Sequence, residues 1–409
     1  MKRLALLPLF ALAAFSAAAQ TMSIHSGTAT IVFAAADVPT VSVSQAEDIV
    51  IGGEEFPINE IDSITFDREG VLPTCLTVTY DDEAGAHLTM PFSYGKLLVV
   101  EETDGNHVTV TTNDDLAEEL SYVLQGSSTR GSFTLNSAYK ATVTLNGVNL
   151  ESNSGPAIDI EDGKRIKVVV ADGTTNTLSD AANGTHKACF FVKGHPEFSG
   201  TGTISLNGYT KHAFASDEYT ELKECTLKVL SAEGDGMHIA QYLKVKSGEI
   251  NITGTKGDGI DVSVTKDATD EDNGQINIKG GSITIAAATD DTKGMKCDST
   301  MTITGGTINI TASGNGTKGI STGTDLFIGQ TSADVPTYIG ILASGTTYMP
   351  GDETLESKCR GIKVKGNFTF DGGQIAISAT GKKSKAISVD GTYTYKSGTI
   401  NCSVDASNT

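Results

Sequence analysis

The sequence predicts an all-β protein: a right-handed parallel β-helix of about 23 to 25 residues per coil, preceded by a smaller β-rich N-terminal module. Three observations carry this reading. The composition is turn-rich and β-forming, with 45 Gly, nine Pro and no Trp beside abundant Thr, Ile and Val. An Asp-Gly step before a large apolar residue recurs in EGDGMHI (233–239) and GTKGDGIDV (254–262), 23 residues apart. Short stretches of alternating apolar and polar residues, separated by Gly bends, repeat in the same order within each period.

From the N-terminus, MKRLALLPLFALAAFSAAAQ has two basic residues, an apolar run and a small-residue Ala-x-Ala end, the pattern of a secretory signal over 1–19. The run is short and no basic stop follows it, which argues against a spanning anchor. No Cys follows it either, so a bacterial lipid anchor is not indicated. A secreted, periplasmic or cell-surface chain is expected.

Without Lys2 and Arg3 the formal net charge moves from -20 to -22. Phosphate attraction would become repulsion at that charge, which disfavours nucleic acid and anionic membranes as general partners. Divalent cations are the more natural counter-charge. Six Cys (75, 189, 225, 297, 359 and 402) are irregularly spaced, with no CxxC pair, and most of them read as small buried thiols in a compartment that permits disulfides.

Residues 20–112 keep the alternation, as in CLTVTY and HVTVTT, without a period, and form the expected N-terminal module. NDDLAEEL (113–120) is either a short capped helix or the lead-in to the first coil. The β-helix is expected over 113–409, opening with the less regular VTLNGVNLESNSGPAIDI (143–160) and RIKVVVADGTTNTLSD (165–180).

The register is set by the apolar residue after each turn. These anchors are Phe190, Phe214, Met237, Ile260, Met295, Ile320, Ile362 and Ile387, with gaps of 24, 23, 23, 35, 25, 42 and 25. Met237 is followed by Leu243, Val245, Gly248, Ile250 and Ile252, and Met295 by Met301, Ile303, Gly306, Ile308 and Ile310, at the same offsets. Three short strands per period is the mark of coils stacking about 4.8 Å apart. Tyr393 and Tyr395 fall on inward positions of the last coil. The two long gaps read as insertions, one holding TKDATDEDNG (265–274), the other spanning about 329–359.

Equivalent residues of stacked coils form columns, so chemistry is read across coils. The column two residues before the anchors runs Asp235, Asp258, Lys293, Lys318, Arg360, Lys385. Two stacked carboxylates repel, and a cation, a proton or Lys293 must offset them. Asp235 and Asp258, with Asp290 and Asp291, are therefore candidate calcium ligands; the alternative is an Asp-Gly bend with solvated carboxylates. Lys293, Lys318, Arg360 and Lys385, joined by outward-pointing Lys296 and Lys363, make a basic strip suited to a carboxylated polymer or to charge balance. Tyr242, outward by alternation, and Tyr338 and Tyr348 in the long insertion, are candidate platforms for sugar rings.

Catalytic patterns are fainter. Uronate lyases need a base beside a neutralised carboxylate, and inverting polygalacturonases need paired acids. Asp290-Asp291 and RGIKVKG (360–366) echo fragments of such sites, but the Gly-His-Gly element is missing, His195 sits several coils away, and no Ser-His-Asp arrangement can be placed.

GKRIKVVVADGTTNTLSD, KACFFVKGHPEFSGTGTISLNG and KHAFASDEYTELK, followed by the GDGM and GDGI coils, resemble a family of secreted bacterial carbohydrate-binding proteins with a polysaccharide-lyase-like β-helix, over about 120–405. EIDSITF (60–66) looks like the leading segment of surface proteins from polysaccharide-using bacteria. The resemblance implies bound calcium and binding of cellulose-like or pectin-like glycans without established cleavage; a monomer is expected. Its calcium role transfers to Asp235 and Asp258; in later coils Lys or Arg replaces that Asp. A polysaccharide lyase and a structural or adhesive surface protein are the competing expectations.

Overall fold

The computed structural model describes residues 20–37, 41–43, 48–51, 54–104, 106–351 and 356–405. The segment 1–19 read as a secretory signal lies outside the described residues. The described residues are all-β, with large sheets of parallel strands and, among them, three short 3-10 segments, Ala35–Asp37, Ile58–Glu60 and Phe92–Lys96. No helix among the described residues is long and apolar enough to cross a membrane.

Each repeat contributes its first strand to a 12-stranded sheet and its next two to a 23-stranded sheet. In the smaller sheet Met237–Ala240 is followed by the parallel strands Ile260–Ser263, Lys293–Cys297, Lys318–Thr322, Arg360–Val364 and Lys385–Val389. The anchors named from the sequence face one another throughout: Phe190 pairs with Phe214, then Met237, Ile260, Met295, Ile320, Ile362 and Ile387 in turn. Alternation turns these residues inward, and a continuous core runs from Leu76 to Ala386. Each fully buried aliphatic side chain in it contributes about 1.5–3 kcal/mol.

Behind the turn column lies a column of glycines, Gly236, Gly259, Gly294, Gly319 and Gly361. A Cβ at Gly259 would stand 2.5 Å from the Gly294 carbonyl oxygen, and one at Gly361 2.5 Å from that of Ala386. Because the obstacle is backbone, a side chain at these glycines would push the neighbouring strands apart.

The N-terminal strands Thr21–Ser26, Ala29–Ala34 and Ser63–Asp67 are antiparallel, over a small core of Met22, Ile24, Phe33 and Ile51. Leu76–Tyr80 then lies parallel beside Leu120–Ser128, joining these residues to the stack. NDDLAEEL forms no helix and leads into that strand.

Two expectations are corrected. The stretch 329–359 is not one inserted loop, because Thr337–Ala343 pairs in parallel with both Gly306–Ala312 and Phe368–Ala379; only its flanks, including a small hairpin of Thr347–Tyr348 with Ser357–Lys358, are inserted. Alternating Ile339 and Ile341 carry that strand into the core. Tyr393 and Tyr395 are 47% and 55% exposed rather than terminal core: they lie against Phe368 and Phe370, but no described strand covers their other side. Cys189, Cys225, Cys297 and Cys359 are buried free thiols, Cys75 is half-buried and Cys402 exposed.

Candidate functional site

The column two residues before the anchors is a hydrogen-bonding device. Asp235 Oδ1 accepts the backbone N–H of Asp258 at 2.7 Å, and Asp258 Oδ1 accepts that of Lys293 at 2.7 Å. The same column begins one repeat earlier at His212, whose Nδ1 accepts the Asp235 N–H at 3.0 Å. Burial pushes the Asp258 carboxyl up to about 6, against the pull of Lys293.

One residue after the anchors, a second column faces outward: His238, Asp261, Lys296, Ser321, Lys363, Ser388. His238 Nδ1 donates to Asp235 Oδ2 at 3.0 Å and lies 3.3 Å from Asp261 Oδ2; these contacts raise its pKa to about 9. Lys296 Nζ donates to Asp261 Oδ1 at 2.8 Å. Although burial works to raise it, the Asp261 carboxyl is held low by hydrogen bonds from His238 and Lys296. Lys296 is therefore committed to Asp261 rather than open to a ligand.

Further along this face the columns enclose a cleft of about 640 Å³ lined by Asp291, Lys318, Pro350, Glu356, Ser357, Lys358, Arg360, Lys363 and Ser388. Lys318 Nζ donates to Asp291 Oδ1 at 3.0 Å and to the Gly316 carbonyl at 2.7 Å, and burial lowers its pKa. Lys358 pairs with Glu356 at 3.0 Å, and Lys363 pairs with Asp390. Arg360 is 8% exposed; its Nη1 donates to the carbonyls of Cys359 at 2.6 Å and Lys383 at 3.2 Å. Burial lowers its pKa, and it has no carboxylate within 4.0 Å among the described residues.

Thus Lys318, Arg360 and Lys363 of the expected basic strip converge on one cleft. Lys293 sits beside it, donating to the Asp291 carbonyl at 2.6 Å, and Lys385 is exposed one strand beyond Arg360.

The aromatic expectations divide. Tyr242 is only 7% exposed, because its ring stacks on Tyr219 at 4.7 Å and Lys244 lies 4.7 Å from its centroid, so it is not an open platform. Tyr338 is half-buried on Thr337–Ala343, and Tyr348 sits in the hairpin above Gly316.

The expected acidic ligands do not form one oxygen cage. Asp290 Oδ1 accepts the Asn315 N–H at 2.8 Å, and Asp291 is occupied by Lys318 and Ser357. Calcium takes six to eight oxygens. Asp235 and Asp258 each spend one oxygen on an amide, and the second oxygen of Asp235 faces two imidazoles, a nitrogen-rich surrounding that does not suit calcium.

A family model for carbohydrate-binding domain-containing proteins matches residues 104–407. The chain belongs to this carbohydrate-binding domain-containing family. Among solved structures, a polysaccharide lyase-like protein from C. thermocellum, crystallised as a gadolinium derivative, is 15% identical with a TM-score of 0.44, covering 80% of this chain and 97% of that one. No curated protein matches. The matched region of this carbohydrate-binding domain-containing protein holds the whole basic cleft and both polar columns.

Sequence reasoning missed His212 and His238. The signal was present, since His212 stands two residues before Phe214 and His238 one after Met237.

Proposed function

We propose that the protein is a non-catalytic polysaccharide-binding module whose ligand is an acidic, uronate-containing glycan seated in the cleft around Arg360. The observation that carries this reading is a nearly buried guanidinium without a carboxylate partner among the described residues, in a chain of net charge -20. A buried cation without its anion is costly, and a sugar carboxylate matches the two-pronged geometry of arginine. Lys318, Lys358 and Lys363 line the same cleft, each already paired with a carboxylate, which leaves Arg360 as the cleft cation without one among the described residues. Membership of a carbohydrate-binding family supports the same ligand class.

The repeat of three parallel strands supports a right-handed parallel β-helix over 113–409, with 20–112 as a module that caps it and 1–19 as an export signal. Calcium enters this reading as a bridging ion recruited with an acidic glycan, against carboxylates such as Asp290, the chain neighbour of the cleft-lining Asp291. The module works as a secreted or surface-held monomer.

Affinity electrophoresis through polygalacturonate, with a cellulose pull-down beside it, tests the reading with calcium and with chelator. Retardation by polygalacturonate that weakens in Arg360→Gln is expected. Absence of retardation in both conditions sinks the acidic-glycan reading, and a rise in ultraviolet absorbance with polygalacturonate would replace binding by lyase activity.

A further inference from the structure

The two histidines missed in the sequence converge with Asp235 several strands from the cleft. Nδ1 of His212 and of His238 lie 3.3 Å and 3.0 Å from Asp235 Oδ2, and the three donor atoms fall within 4.8 Å of one another. The imidazoles come from neighbouring strands and stack 4.5 Å apart at 13°. Ligands of a tetrahedral zinc ion, at about 2.0–2.2 Å from the metal, stand about 3.4 Å from each other. The donors thus have nearly the spacing that a shared ion demands, and a turn of one of the near-parallel rings brings both lone pairs onto it.

A second, independent observation concerns His212. It is 5% exposed, and its Nε2 has no partner among the described residues. The column needs only an acceptor for the next backbone N–H, which Asp supplies in the two following repeats. Histidine in that place leaves a buried polar nitrogen, Nε2, unsatisfied, a cost that an Asp would not carry and that coordination through the ring's other nitrogen would offset.

We propose that His212, Asp235 and His238 form a binding site for a divalent transition metal of the zinc class, distinct from any calcium that accompanies a glycan. Two imidazoles and one carboxylate suit zinc, copper, nickel or cobalt and disfavour calcium. The half-exposed ring of His238 leaves an open side for a fourth ligand, and Asp261, held by Lys296, flanks it at 3.3 Å. Strand spacing puts the site about 19 Å from Lys363, on the same outward face. Coordination competes with the amide of Asp235 for His212 Nδ1 and with the proton on His238, so affinity rises with pH.

The test is titration of the full chain with Zn²⁺ and Co²⁺ by calorimetry and visible absorption. One equivalent of zinc is expected, bound at least about 100-fold more tightly than calcium, with cobalt bands of a nitrogen and oxygen donor set. His238→Gln should weaken zinc at least tenfold while circular dichroism stays unchanged, and His25→Gln should leave binding intact. Asp235→Asn, which keeps an oxygen for the Asp258 N–H, serves if His238→Gln fails to fold. No zinc uptake, uptake that survives both substitutions, or a thiolate charge-transfer band with cobalt overturns the proposal.

Discussion

Asp258 Oδ1 accepts the backbone N–H of Lys293 at 2.7 Å, so the side chain of one repeat completes the backbone of the next. Asp258→Ala leaves that amide without its acceptor and should cost about 1–3 kcal/mol in urea unfolding. Asp258→Asn keeps an oxygen and should cost well under half as much. Equal losses for both would show that charge, not the acceptor, is what the position supplies.

Gly259→Ala brings a Cβ within 2.5 Å of the Gly294 carbonyl oxygen, and backbone cannot swing aside. A loss of about 1–3 kcal/mol is expected, with strand separation as the cause. Gly147→Ala is the comparison: it has open space but a φ of +74°, so only its backbone preference is charged. Thermal unfolding of the two variants separates packing from conformational strain.

Arg360→Lys keeps the positive charge and loses the planar fork. Retardation in polygalacturonate gels should fall about tenfold, and that of the parent protein should weaken as ionic strength rises. Unchanged retardation in Arg360→Lys would mean that charge alone attracts the glycan.

Asp159 is half-buried beside Glu161, and its Oδ1 has no partner among the described residues. Burial, reinforced by Glu161 and opposed by His186 and Lys187, raises its pKa from 3.8 to about 6. A raised acid favours the folded state in its protonated form, so its contribution is greatest below pH 3.8, declines to about pH 6, and is flat beyond. Asp159→Asn should therefore gain about 1–2 kcal/mol over the parent at neutral pH and nothing at acid pH. Paired urea titrations across that range measure the crossover.

Tyr395 and Phe370 occupy the same register, 6.0 Å apart, but only Phe370 is enclosed. Phe370→Ala should cost about 3–5 kcal/mol, whereas Tyr395→Ser should cost less than about 1 kcal/mol. Comparable losses would mean that the last strand is covered in solution.

The inward half of this protein was legible because it obeys a period. Every anchor from Phe190 to Ile387 pairs as its spacing implies, since a one-residue slip would turn each apolar residue to water. The outward half was legible only as columns, not as partnerships. Lys296 and Lys363 point outward as expected, yet the acid each one meets, Asp261 or Asp390, is set by side-chain reach. Tyr242 is covered by Tyr219, 23 residues and one coil away, a contact that alternation within a strand cannot express but the column does. Ser357 meets Asp291 across 66 residues, because a hairpin folds back over the stack.

The glycine column also separates what inheritance can alter from what it cannot. Immediately before Gly236, Gly259, Gly294, Gly319 and Gly361 stand Asp, Asp, Lys, Lys and Arg, a change of charge sign with no change of frame behind it. A lineage can therefore rewrite the recognition chemistry one letter per repeat, copying repeats and editing them, while the glycines hold the page on which it is written.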